Sequence, residues 1–456
     1  MEAIASYFKF AERGTTFGTE VKAGVATFMV MVYIVALNPG ILSAALPEGT
    51  TDADRATFLV GAAAATALVA AVMSFLMGVV ANYPIALAAG LGINAIVAFG
   101  LALGAGLGLP GAMGVIVLEG IVVTILVLVG LREAIMNAVP LSLKRAIGVG
   151  IGLFILFIGF VDGGLIRQPV GDGPVPVEFV FPNSWATWLT VIGLAITVVL
   201  YVRRVPAALI LSIVITSIIA FIVGVTTVPP QGLIQLPNFS TIGQFDIFKV
   251  FSTLGVLAAV LTIFTIMLAD FFDTMGTATA ITEQAGLTTE EGRVPGIGRV
   301  LLVDSVAAVA GGAAGISSNT SYIESAAGVA EGGRTGLTAV VVGLLFLVMI
   351  VLSPLVALVP FQATAPVLIL VGFLMCTLIK DIDFLDFEEG FPALLGLILM
   401  PLTFSITVGI GAAFVSYVFI KVVKGKWGQV HPLMWLVAAA FAVYFAQAAI
   451  QSILPK

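Results

Sequence analysis

Apolar residues recur along this chain in runs of about 18–25, parted by short polar breaks, from about residue 23 to residue 453. A helix needs roughly 20 such residues to cross a bilayer. The pattern predicts spans at about 23–46, 57–80, 84–103, 111–131, 143–162, 186–202 and 206–224. A loop rich in Pro and Gln follows. A second set falls at about 251–282, 297–313, 317–330, 335–357, 364–380, 391–408 and 409–424. The last apolar stretch, 432–453, reads equally as a fifteenth crossing or an interfacial helix. Helices satisfy their own backbone within lipid, whereas a β-barrel would show alternating strands. The expected fold is therefore an all-α polytopic membrane protein of fourteen transmembrane spans.

Two sets of seven form an odd-numbered repeat, so the halves must have opposite orientations. Residues 391–424 must then cross and return within about 34 residues, where two full spans need about 40, so short or tilted half-spans are expected there. The third span of each half is short and irregular, at Asn82–Phe99 and Gly311–Ala330. These broken spans 3 and 10 follow Asn82-Tyr-Pro84 and Gly311-Gly-Ala-Ala-Gly315. Interrupted apolar segments at matching places in two halves point to a transporter's midplane binding site.

Charge supports the path. With the N-terminus inside, fifteen of the 19 Lys and Arg fall on the inner side; Arg55, Arg167 and Lys249 fall outside, and Lys456 is unplaced. That is a strong positive-inside bias. It places the chain in the cell membrane with a cytoplasmic N-terminus. The polar Met1–Lys22 stretch does not read as a signal peptide. The chain is 60% hydrophobic and 10% charged, unlike any soluble domain of 456 residues. The net charge of −6 sits mostly in loops, and no basic stripe suggests nucleic acid. Cys376 and His431 are the only residues of their types, which excludes an intramolecular disulfide, a Cys or His-cluster metal site and a paired-histidine relay. The Ser and Asp residues show no nucleophile–base pattern, so no enzyme is expected.

Against this background a few polar residues stand out. Asp270 and Asp273 sit three apart inside an apolar segment, on one helix face continued by Thr274 and Thr277. A carboxylate at the bilayer centre costs at least about 2.5–3.5 kcal/mol, so it is a functional-site hypothesis by default. The bland reading is a pair satisfied by backbone donors, since no Lys or Arg lies deep in a nearby span. Two acids that close in low dielectric resist double ionisation, which suits proton coupling. Glu119 and Asp304, mid-span in spans 4 and 9, are further candidates for the coupling proton, or equally for bonds to a neighbouring helix.

Gly315–Glu324 is too polar to face lipid and reads as an extended lead-in to a half-helix beginning near Asn319–Ser321. Such a terminus, with Thr320 and Ser321, offers unsatisfied N–H groups to a planar heterocycle, and Glu324 offers an acceptor for ring N–H or amino donors. Ser321-x-x-Glu324 is also a capping box, the purely structural alternative. In the matching segment Ala88–Asn94, Asn94 offers a donor and an acceptor, while the small residues also suit helix packing. Asn38-Pro39 is expected to break span 1. Phe28, Tyr33 and Phe271/Phe272 could stack on a ring. Gly104–Gly108 looks like a phosphate loop but lacks the strand–helix context. Asp381–Glu389, five acids in nine residues, reads as a solvated inner loop with a gating role in reserve.

Four stretches together carry a resemblance: Ala269–Thr277, Ser317–Ser325, Gly328–Leu337 and the run Thr27–Pro39. They resemble the AzgA-like purine nucleobase permeases, relatives of the nucleobase–ascorbate transporters and the uracil permease, and the resemblance covers nearly the whole chain. It implies a seven-plus-seven inverted repeat with a core domain (1–131 and 251–357) and a gate domain (132–250 and 358–430), followed by a C-terminal segment at 431–456. It implies import of adenine, guanine or hypoxanthine by proton symport, with the core moving against the gate like an elevator. No cofactor beyond the coupling proton is implied. The family's binding carboxylates fall on Asp273 and Glu324, with Asp270 one turn away, and its span-3 asparagine falls on Asn94. The uracil permease has a histidine where this chain has Thr277, so a histidine-based proton step does not carry over. Homodimers through the gate domain are also implied. An anion transporter or channel on the same architecture is the alternative, opposed by the two acids at the site.

Overall fold

The computed structural model describes residues 2–130, 139–169, 177–205, 207–227, 236–288, 294–403 and 405–453. Arg132 and Arg293, used above to orient the chain, the unplaced Lys456, and the boundary at 131–132 lie outside these.

Two short helical turns, Glu2–Tyr7 and Phe10–Arg13, lead into the first span. It is built as α1 (Phe17–Met31), whose N-terminus is capped by the Thr16 side chain, and α2 (Ile34–Ser43). The break falls at Val32–Tyr33, and Pro39 lies within α2 rather than at the break. An interior proline loses the bond its own N–H would make to the carbonyl four residues back, here Val35 within α2, and the helix runs on through it. Asn38 ties this span to its neighbours, donating to Thr66 Oγ1 at 2.9 Å and to the Ile316 carbonyl at 3.0 Å.

Thr51 caps α3 (Asp52–Leu76), which continues as a π-helical turn to Ala81. A strand, β1 (Leu87–Ala89), then precedes α4 (Leu91–Ala95) and further π-helical turns to Gly104. After α5 (Gly108–Leu128) come α6 (Leu141–Asp162), a pair of short strands β2 (Ile166–Arg167) and β3 (Glu178–Phe179), α7 (Trp185–Val202) and α8 (Ala208–Ile222). Ser184 and Thr187 form a capping box on α7.

The later part starts with α9 (Ile247–Leu254), capped by Asp246, and the long α10 (Val256–Gln284). Next are α11 (Ile297–Ala313), β4 (Asn319–Ser321), α12 (Ser325–Ala330), α13 (Gly336–Leu352) and α14 (Phe361–Cys376). The chain ends with α15 (Phe387–Thr403), α16 (Ile406–Val423) and α17 (Pro432–Ile453). Among the described residues seven helices are long and apolar enough to cross a membrane, and five shorter helical stretches are apolar. One of these shorter stretches, Val256–Phe271 of α10, contains Asp270.

The half-helix expected from Asn319–Ser321 starts later, at Ser325, because residues 319–321 are drawn into a strand. That strand, β4, pairs antiparallel with β1, Ala88 opposite Thr320. The Gly90 N–H donates to the Ser318 carbonyl and the Tyr322 N–H to that of Ala86, both at 2.9 Å. Tyr322 Oη reaches the Ala89 carbonyl at 2.6 Å, and Ser74 Oγ bridges Leu87 N–H and C=O. Irregular backbone at membrane depth is tolerated only when its polar groups find partners of this kind.

Helices α6, α7, α8, α14, α15 and α16 pack in one set of contacts, and α1, α2, α3, α5, α11 and α13 in another. Helix α10 touches α5 on one side and α6 and α16 on the other. Small residues allow the closest approach: a methyl group on Gly152 of α6 would sit 2.9 Å from the Gly372 carbonyl of α14. Helix α17 lies on α16, with Phe441 against Phe414 at 6.1 Å, and also touches α10. Buried Glu20 caps α13, accepting from Arg334 N–H at 2.9 Å, Thr335 N–H at 3.2 Å and Thr338 Oγ1 at 2.6 Å.

Candidate functional site

The cavity that matters lies between α10 and α12 on one side and α6, α7, α8 and α14 on the other, with a volume of about 1560 Å³. That exceeds the roughly 300–1,000 Å³ of an ordinary ligand pocket, so part of it is vestibule. Helix α10 contributes Ala269, Asp273 and Thr277, spaced four apart on one stripe. The stretch leading into α12 contributes Glu324. Lys144 and Arg145 at the start of α6, Arg204 after α7 and Asp381 after α14 line the same space. All four sit on the side that the positive-inside bias assigns to the cytoplasm.

The single acidic face read from the sequence is in fact two. Three residues are 300° around a helix, which leaves Asp270 and Asp273 about 60° apart. Asp273 is exposed to the cavity with Thr277 behind it. Asp270 and Thr274 turn instead toward β4. Asp270 is 3% exposed; its Oδ2 accepts from Ser318 Oγ at 3.2 Å, and its Oδ1 has no hydrogen-bond partner among the described residues. Thr274 Oγ1 donates to Asp304 Oδ2 at 2.6 Å and shares a 2.9 Å bond with Thr320 Oγ1.

Asp304 gathers these elements. On α11 and buried, it accepts at Oδ1 from Ser321 N–H at 2.9 Å, Ser321 Oγ at 2.8 Å and Thr320 Oγ1 at 3.4 Å. Thr320 and Ser321 were expected to face a ligand. Both are buried and turned to this carboxylate, because a buried acid draws the nearest donors. The Ser321–Glu324 capping box, the structural alternative to a ligand role, is not formed for the same reason. Glu324 Oε1 accepts from Tyr33 Oη at 2.6 Å.

Asn94, on α4, is fully buried outside the cavity lining, and neither side-chain amide atom has a partner among the described residues. Asn319 on β4 is in the same condition, and its type and position in a polar broken segment were the signal for it. Glu119 is buried on α5, away from the cavity. Of the aromatic residues expected to stack, Phe28, Tyr33 and Phe271 do not line the cavity, and the Phe272 side chain lies outside the described residues. Tyr201, at the end of α7, is the aromatic that does. Nothing in its local sequence marks it, since its place depends on how α7 packs.

Apolar helices of membrane-crossing length around a cavity lined by three carboxylates, Asp273, Glu324 and Asp381, define an integral membrane protein of the transporter class. The chain belongs to the permease family, whose sequence pattern matches residues 18–416. The guanine/hypoxanthine permease PbuG of Bacillus subtilis is 40% identical over 452 residues, covering 97% of this chain and 99% of its own. The adenine permease AdeQ of Escherichia coli is 40% identical over 442 residues, covering 96% and 95%. The resemblance drawn from the four motif stretches thus holds across the chain. The fold resembles that of the transmembrane domain of the cyanobacterial bicarbonate transporter BicA. There the TM-score is 0.59 at 15% identity, covering 87% of this chain and 96% of that one.

Proposed function

We propose that this protein carries purine nucleobases into the cell by secondary active transport. The observation that carries the reading is that Asp273 and Glu324, from α10 and the lead-in to α12, line one cavity together. Two acceptors facing the same space suit a planar base with ring N–H and amino donors, and relatives of this length are named for adenine and for guanine and hypoxanthine. Asn94, Thr320 and Ser321 shape the pocket from behind rather than touching the base.

The transport cycle is proton symport. Of the three acids considered, Asp270 suits the coupling role best, because a buried oxygen without a partner is where a proton changes most. Asp304, held by donors, serves as a tether. Glu119 remains the second candidate. The chain runs as fourteen spans in an inverted seven-plus-seven repeat, N-terminus in the cytoplasm of the cell membrane. The set around α3, α5, α11 and α13 is the core and the set around α6 and α14 the gate. The core moves against the gate like an elevator, and copies pair through the gate. No cofactor takes part.

Uptake of labelled adenine, guanine and hypoxanthine in cells lacking their own carriers tests the reading. Asp273→Asn and Glu324→Gln are expected to lower uptake at least about tenfold, the loss of one hydrogen bond to a charged group. Parental uptake by both variants would sink the site. Uptake indifferent to a protonophore but dependent on sodium would sink proton coupling. The fold's likeness to a bicarbonate transporter favours anion transport as the second reading. Asp273 and Glu324 oppose it at the proposed binding site, although Lys144, Arg145 and Arg204 line the same cavity, and competition by bicarbonate or sulfate would support it.

A further inference from the structure

Tyr33 sits where α1 gives way to α2, and its side chain is fully buried. Its hydroxyl donates to Glu324 Oε1 at 2.6 Å across 291 residues of sequence. Glu324 lines the cavity and Tyr33 does not, so the phenol meets the carboxylate from the protein side. Glu324 is the N-cap residue of a helix of only six residues, and its side chain caps none of that helix's N–H groups, so the helix does little to orient the carboxylate. A glutamate side chain has three rotatable bonds, and a site works only when such a group is held in one geometry.

We propose that Tyr33 is a positioning residue of the binding site. By holding Oε1 it turns Oε2 toward the ligand and fixes the plane in which Glu324 receives a ring N–H or amino donor. The inference rests on the purine reading above. The span-1 break gives this contact its geometry: at Val32–Tyr33 the helix yields, and the side chain that follows the break reaches a group on the far half of the chain. Aromatic stacking on the base, the sequence-level expectation for Tyr33, does not fit a ring shut away from the cavity.

The test is Tyr33→Phe, which keeps the ring and removes only the hydroxyl. Purified protein is expected to melt within a few degrees of the parent. KM for purine uptake is expected to rise about tenfold, one lost hydrogen bond to a charged group, with Vmax changed less than about twofold. Glu324→Asp withdraws the carboxylate from the phenol, so adding Tyr33→Phe to it is expected to raise KM no further. The order of preference among adenine, guanine and hypoxanthine is expected to flatten in Tyr33→Phe. Parental KM and selectivity would overturn the inference. So would a loss of Vmax and melting temperature at unchanged KM, which marks a purely structural bond. Uptake that needs Glu324 but ignores the hydroxyl overturns this inference alone. A parent protein that takes up no purine overturns the purine reading and this inference with it.

Discussion

Asp304 offers the sharpest test of how the site is built. Four donors converge on it: Ser321 N–H, Ser321 Oγ, Thr320 Oγ1 and Thr274 Oγ1. In Asp304→Ala the bond between the two threonines uses one of their two protons, leaving the other threonine hydroxyl and the Ser321 N–H and hydroxyl stranded in a buried site. Each stranded donor costs about 1–3 kcal/mol, so the variant should lose about 3–9 kcal/mol. Asp304→Asn differs: Oδ1 still accepts from both Ser321 groups, and the new amide can donate to Thr274, whose proton turns to Thr320. Only the charge assistance is lost, about 1–2 kcal/mol. Thermal unfolding in detergent should therefore show a larger drop for Ala than for Asn. Asn should still concentrate purine against its gradient, because a tether needs no titrating proton. Equal melting of the two variants would refute the tether. A well-folded Asp304→Asn that equilibrates purine without concentrating it would move the coupling proton onto Asp304.

Two further outcomes are expected. Glu388, in the first turn of α15, accepts from Lys421 at 2.7 Å, Lys424 at 2.9 Å and Lys426 at 2.5 Å, and these lysines hold its carboxyl below the usual carboxylate range. A carboxyl depressed by folding stabilises above its unfolded value and loses that contribution only as pH falls through its folded value. Glu388→Gln should melt below the parent at neutral pH, with the gap closing only in strong acid; a gap that widens on acidification would refute this. Gly315 sits at φ +72, and a methyl group there would run into the Thr241 carbonyl. Gly315→Ala should cost about 1–3 kcal/mol in thermal unfolding, and a neutral result would show that the lead-in to β4 can shift.

Much of the architecture was legible because a bilayer restricts both length and polarity. The runs predicted at 57–80, 111–131 and 143–162 correspond to α3, α5 and α6, since few alternatives satisfy a backbone in lipid. Asp270, Asp273 and Glu324 stood out for the converse reason: charge is so costly in an apolar run that its presence asks for a cause. The misread stretch was Asn319–Ser321. Ser and Thr there look like helix caps, but the pairing partner that makes them a strand lies more than 200 residues earlier, at Leu87–Ala89.

The sequence by itself determined that this chain spans a membrane by helices, that regular helix is interrupted after Asn82 and after Gly315, and which acids had to be accounted for. Each follows from a local balance between hydrophobicity, backbone hydrogen bonding and the cost of charge. Only the tertiary structure decided which acid faces the cavity. A 60° difference around α10 sends Asp273 to the open space and Asp270 to β4, and no spacing rule says which neighbour each will meet. It also decided that Ser321 and Thr320 serve Asp304 and that Tyr33 reaches Glu324, because those contacts join elements that only packing brings together.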